Sequence, residues 1–122
     1  MAKRFKLTSP KVRISENDVE RAVVDLLRYR GYYVVRLQVG TFKTKADRWL
    51  HIGEPGLPDY CALHPVHPGF FVEVKRPGAS ASEVQIRKHA ELRLCYRIGV
   101  AVIDTTQALT TWLADHEGKA IK

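Results

Sequence analysis

The sequence predicts an α/β fold, with helices on both faces of one sheet, and three observations carry that prediction. Helical and strand-like segments follow one another in mixed order, with the strand-like ones grouped centrally. Val19, Ala22, Val23, Leu26 and Leu27 follow the i, i+3, i+4, i+7, i+8 spacing of one buried helix face. Phe70 to Lys75 is an apolar, aromatic-rich run closed off by Pro77-Gly78, the strongest strand signal in the chain. At 122 residues the chain is one domain's worth. A composition of 45% hydrophobic and 27% charged residues excludes a collagen-like chain, a disulfide scaffold and an acidic disordered tail.

The elements follow in order. Ser15 reads as the N-cap of a first helix, with Asp18 at the reciprocal capping position and Gly31 as the stop. Tyr32 to Leu37 is a strand by composition. Residues 38–57, with Gly40, Lys43, Lys45, Asp47, Arg48, Gly53, Pro55 and Gly56, read as an irregular basic loop, and Trp49 to Ile52 is a candidate short strand within it. Pro58 to Leu63 reads as a strand, His64 to Gly69 as a turn and Phe70 to Lys75 as the next strand. Ser82 caps a second helix reaching about Arg97, with Gln85 at the reciprocal position and Gly99 as its stop. Val100 to Ile103 is the last strand, and Thr105 or Thr106 caps a third helix carrying Leu109, Trp112 and Leu113. There is no internal repeat and no sign of a second domain, so residues 15–122 are read as one domain behind a basic arm, residues 1–14.

The net charge of +7 is unevenly placed. Lys3, Arg4, Lys6, Lys11 and Arg13 stand in residues 1–13 without an acid, which leaves +2 for residues 14–122. Such an arm is either a solvated tail or a phosphate-contacting segment. No apolar run approaches the ~18 residues of a membrane span, and the basic start lacks the apolar stretch of a secretory signal. A soluble, cytoplasmic, basic protein is therefore expected, with nucleic acid the leading partner class and no membrane partner. Cys61 and Cys95 stand apart, without a CxxC pair, and read as free, half-buried thiols of a reducing compartment.

Gly56-Leu57-Pro58-Asp59 followed, after thirteen intervening residues, by Glu73-Val74-Lys75 carries the chemistry. Strand side chains alternate, so Glu73 and Lys75 share a face and Val74 points to the other. Strands joined by the His64–Gly69 turn would pair antiparallel and bring Asp59 beside Glu73 and Lys75. Two carboxylates and a lysine at one sheet edge suit Mg²⁺, which takes one or two carboxylates plus waters and a substrate phosphate. The ion activates water and neutralises the phosphate, and a lysine nearby orients the water or offsets charge. The plainer alternative is a half-buried Glu–Lys pair with Asp59 capping a turn.

These residues resemble a known family. Pro58-Asp59…Glu73-Val74-Lys75 is similar to the PD-(D/E)XK nuclease signature. Gly56-Leu57-Pro58-Asp59, Phe71 to Gly78 and downstream Gln85 together resemble its VRR-NUC branch (virus-type replication-repair nuclease domains). Val19-Glu20-Arg21 through Gly31 to Arg36 also resembles the opening of archaeal Holliday-junction resolvases. The likeness covers roughly residues 15–105. It implies a restriction-endonuclease-like sandwich with a central mixed sheet and an α-β-β-β-α-β core. It implies a metal-dependent DNA endonuclease using Mg²⁺ or Mn²⁺ and no small-molecule cofactor, acting as a homodimer on branched DNA such as four-way junctions, in phage or repair contexts. A restriction-type or nicking nuclease and a non-catalytic DNA-binding module are the alternatives. By resemblance Asp59, Glu73 and the Val74 backbone carbonyl hold the metal, and Lys75 is the catalytic lysine. A first-helix acid completes the site: Glu20 matches the resolvase-like position and Glu16 is its rival. Gln85 matches the family glutamine at the metal site, a role that competes or coexists with its capping of Ser82.

The basic side chains then divide into two sets. Lys43, Lys45 and Arg48 precede the active-site strand, and Arg76, Arg87 and Lys88 flank the metal edge; as sets they favour contact with DNA phosphates. Cys61, His64 and His67, with His51 as a fourth, approach zinc-ligand spacing, but a hairpin turn is the simpler reading of this segment. Trp49, Trp112 and the tyrosines read as core or rim residues.

Overall fold

Ser15 sets the start of the first helix. Its hydroxyl accepts the Asp18 backbone N–H at 3.2 Å, and the Asp18 carboxylate accepts the Ser15 N–H at 3.1 Å, so both halves of the capping box form. The computed structural model describes residues 15–37 and 40–119 and gives this helix, α1, the range Glu16–Tyr29. The basic arm expected over residues 1–14 lies outside the described residues. Val19, Val23 and Leu27 form the buried stripe of α1, as their spacing requires.

The remaining elements are β1 (Tyr33–Arg36), β2 (Gly40–Lys43), β3 (Trp49–Ile52), β4 (Tyr60–Leu63), β5 (Phe70–Val74), α2 (Glu83–Cys95), β6 (Gly99–Ile103) and α3 (Thr106–Lys119). The main sheet has the order β1-β4-β5-β6. β1 and β4 pair antiparallel, as do β4 and β5, whereas β5 and β6 run parallel. The parallel join follows from the α2 crossover, because a short turn can only reverse the chain. The fold is thus a mixed α/β arrangement of one four-stranded mixed sheet and three helices.

Strand alternation sorts the two faces. Tyr60, Ala62, Phe70, Val72, Val74, Ala101 and Ile103 share one face and pack under Val19, Val23 and Leu27 of α1 and Leu109 and Leu113 of α3. Leu27, Leu109 and Leu113 are fully buried there. Each such side chain contributes ~1.5–3 kcal/mol through removal from water. Glu117 ties the two helices further, accepting from Arg30 and from the Tyr32 hydroxyl, both at 2.7 Å. Phe71 and Glu73 lie on the other face, where α2 brings His89 against Glu73.

Three local expectations are corrected. Where an irregular loop with one short strand is expected over residues 38–57, the described residues 40–57 hold a separate antiparallel hairpin of β2 and β3, with Lys43 opposite Trp49. Gly40-Thr41-Phe42-Lys43 has no apolar alternation, and pairing with β3 is what orders it. The second helix ends at Cys95, because Tyr96 caps it and Arg97 takes a left-handed φ of 55°; Gly99 opens β6 instead of stopping the helix. Of the two expected caps of α3, Thr105 is the one used, its hydroxyl accepting the Ala108 N–H at 3.0 Å. Cys61 is half-buried as expected, but Cys95 is exposed. Among the described residues no helix is long and apolar enough to cross a membrane.

Candidate active site

The β4–β5 register builds the site. Tyr60 lies opposite Val72, so the next step along the ladder sets Asp59 against Glu73. Asp59 is then held at two points. Its Oδ2 accepts the Val74 N–H at 2.9 Å, and its carbonyl accepts the Leu37 N–H at 2.7 Å. The loop leading into it is clamped onto α2. Gly56 has φ 81°, and a Cβ there would stand 2.4 Å from the Val84 carbonyl oxygen, so only glycine permits this approach. Lys88 Nζ completes the clamp by binding Glu54 at 2.9 Å and Glu91 at 3.0 Å.

Lys75 and Gln85 meet above Glu73. Lys75 Nζ donates to Gln85 Oε1 at 2.8 Å and stands 3.6 Å from Glu73 Oε2. The same Gln85 oxygen accepts the Ser82 N–H at 2.9 Å, and the Ser82 hydroxyl accepts the Gln85 N–H. The two alternatives for Gln85 therefore coexist geometrically: it closes the capping box and grips the lysine.

Glu73 is 2% exposed. Burial, and after it the negative Asp59 alongside, pushes its carboxyl up to about 8, against a smaller opposing effect of Lys75. Its Oε1 is buried with no hydrogen-bond partner, 3.7 Å from His89 Nε2, which also lacks one. Burial holds the His89 imidazole below its ordinary range, with the Arg93 and Lys75 charges adding to the effect. The imidazole is therefore neutral near pH 7 and supplies no counter-charge. Two carboxylates thus share a pocket with one cation 3.6 Å from Glu73 and an unsatisfied oxygen. Two carboxylates in such a pocket offer oxygen donors of the kind a hard divalent cation takes.

The other expected site residues are placed differently. Glu20 leans onto the sheet but is engaged by Tyr60, whose hydroxyl donates to it, and by Arg36 at 3.1 Å. Burial and the Glu20 contact push the Tyr60 hydroxyl up to about 12. Glu16 is exposed in the first turn of α1. Among the described residues no group of three His, Cys, Asp or Glu side chains is placed to hold a metal. The structure therefore brings together Asp59, Glu73, Lys75 and Gln85, and leaves Glu20 on Tyr60 and Arg36.

Arg76 and Arg87 are exposed beside the site, and Lys45 and Arg48 are exposed on the hairpin. Lys43 pairs with Asp47 at 2.8 Å. Lys88, expected to contact phosphate, is engaged by Glu54 and Glu91 in the clamp just described. His64 and His67 belong to the β4–β5 turn, where His64 Nδ1 accepts the Val66 and His67 N–H groups. The side chain of His51 lies outside the described residues.

Sequence reasoning passed over His89 and the Tyr60–Arg36 pair. The first had a signal: His89 stands four residues after Gln85 and so shares its helix face. The second had none, since Arg36 and Tyr60 meet only through the β1–β4 register. No family model matches the chain, and no curated protein matches it.

Proposed function

We propose that this chain is a divalent-metal-dependent DNA endonuclease with a restriction-endonuclease-like sandwich fold. The observation that carries the reading is the meeting of Asp59, Glu73, Lys75 and Gln85 at one end of the β4–β5 pair. The fold supports it too. With the β2–β3 hairpin set aside as an insertion, the elements run α-β-β-β-α-β, with two antiparallel joins and then a parallel one.

Asp59 and Glu73 would hold Mg²⁺ or Mn²⁺, with the Val74 carbonyl as a further oxygen. When bound, the ion supplies Lewis-acid activation of water and neutralises the phosphate. Lys75, in the grip of Gln85, presents its remaining Nζ protons to the attacking water or to a phosphate oxygen. Gln85 acts through Lys75 and is a positioning residue. Arg76 and Arg87, exposed on the flank, are available to the DNA backbone. Branched DNA as the substrate and a two-fold pair of copies as the cutting unit follow from the resolvase likeness of residues 19–36.

A cleavage panel of single strand, duplex, flap and four-way junction, with Mg²⁺ or Mn²⁺, tests the proposal. The expected result is cutting of the junction by the wild type, with Asp59→Ala binding the junction but leaving it intact. Equal cutting of linear duplex and junction would remove the branched-DNA preference. No cutting of any substrate with either metal would remove the enzyme.

A further inference from the structure

Exposing a tryptophan on a small hairpin needs a reason. Trp49 is 65% exposed and its neighbour Leu50 51% exposed. The β2–β3 hairpin packs chiefly on itself, so no core calls for an indole there. Trp112 shows the contrast, since its ring packs against Phe70 with 4.5 Å between centroids.

The hairpin's charge is concentrated around that ring. Lys43 faces Trp49 across the strand pair, its Nζ 5.9 Å from the ring centroid. Lys45 and Arg48 stand exposed in the turn between them. That turn is closed by Thr44 N–H to the Arg48 carbonyl at 2.8 Å, with Asp47 in the left-handed region at φ 62°. Trp49 is therefore the first residue after the turn, at the tip of the hairpin. Three cations thus stand around the ring against one carboxylate, Asp47, which pairs with Lys43 at 2.8 Å. A flat aromatic face within such a cationic excess is the combination that holds unstacked nucleobases, the ring taking the base and the cations its phosphates.

The position of the hairpin links it to the candidate site. Both of its ends leave from the Asp59 end of the sheet. β1 stops at Arg36 opposite Tyr60, Leu37 donates to the Asp59 carbonyl, and β3 returns through residues 53–58 to Asp59 itself. Its strands are four residues long, which carries the tip ~10–13 Å from its base at ~3.3 Å per residue. That is about three or four nucleotide steps at ~3.4 Å each.

We propose that Trp49 stacks on an unpaired base of the DNA substrate, with Lys43, Lys45 and Arg48 on the adjoining phosphates. The hairpin would thereby set the cut a few nucleotides from a boundary between paired and unpaired strands. This inference rests on the nuclease reading and adds what that site recognises.

The test is binding, without divalent ions, of two labelled DNAs of matched sequence, one fully paired and one with an unpaired tract. Trp49→Ala should weaken binding to the unpaired-tract DNA about ten- to a hundredfold and change duplex binding less than about twofold. Trp49→Phe, which keeps an aromatic face, should stay near wild type. A 2-aminopurine in the unpaired tract should be quenched by the wild type and not by Trp49→Ala. Equal losses on both DNAs, no loss on either, or a Trp49 effect confined to binding of anionic lipid vesicles would overturn the proposal. The cleavage panel fails separately: cutting by wild type with an indifferent Trp49→Ala removes the hairpin role alone. Trp49-dependent binding without cutting removes the nuclease alone and upholds the stacking.

Discussion

Glu73 keeps a proton that a solvated glutamate would have released. Its ordinary value is 4.5, and burial beside Asp59 takes it to about 8. Between those two values the folded protein binds more protons at Glu73 than the unfolded chain does. Stability from this group therefore declines as pH rises from about 4.5 to about 8, and the full cost is present above that window. The cost is on the order of a few kcal/mol at ~1.4 kcal/mol per pKa unit. Glu73→Gln, which keeps the shape and removes the charge, should melt several degrees higher than wild type at pH 9 without metal. Adding Mg²⁺ or Mn²⁺ should raise the wild-type melting temperature at that pH and leave Glu73→Gln unmoved. Thermal melts across pH, with and without metal, read both effects. The same residue also shows how sequence and structure divide the site. Alternation places Glu73 and Lys75 on one face, but that His89 caps their pocket depends on the docking of α2, which local periodicity does not describe.

The start of α2 joins a helix-capping contact and a contact with Lys75 in one side chain. Gln85 Oε1 accepts from both the Ser82 backbone and Lys75 Nζ. Two substitutions separate these roles. Ser82→Ala removes the hydroxyl that accepts the Gln85 N–H and should cost ~1 kcal/mol of stability, with cleavage close to wild type. Gln85→Ala should cost a similar amount of stability, and in addition slow cleavage about tenfold or more, because the ammonium loses a hydrogen bond that orients it. Urea melts and single-turnover cleavage rates on the same two variants check this. The capping box was legible in Ser82-Glu83-Val84-Gln85, because a cap is a local motif. The lysine contact was not legible in that segment, because Lys75 reaches it from the end of β5, ten residues away in the chain. The hairpin shows the same limit: Trp49 reads as a core or rim residue in a string of letters, and only the β2–β3 pairing puts it on a tip.

Charge acts on the whole molecule. A net +7 favours phosphate binding by counterion release, with log affinity falling at about −0.9 per neutralised phosphate against log salt. Deleting residues 1–14 removes five basic residues and no acid. The truncated protein should bind DNA more weakly at low salt, with a slope shallower by up to about four to five, and should cut bound substrate at an unchanged rate. Binding isotherms from ~50 to ~200 mM salt measure the slope directly. At this scale, periodicity and capping alone settle the helix starts at Ser15 and Ser82, the α1 stripe, the main strand runs and the shared face of Glu73 and Lys75. These are local properties, written in spacings of two to four residues. The packing of distant segments decides the rest: the Asp59–Val74 contact through the β4–β5 register, the engagement of Glu20 by Arg36 and Tyr60, the closing of Lys88 onto Glu54, and the pairing of β2 with β3. Each joins groups whose separation along the chain carries no periodic signal, so it exists only once the sheet has chosen its neighbours and the helices have been laid across it.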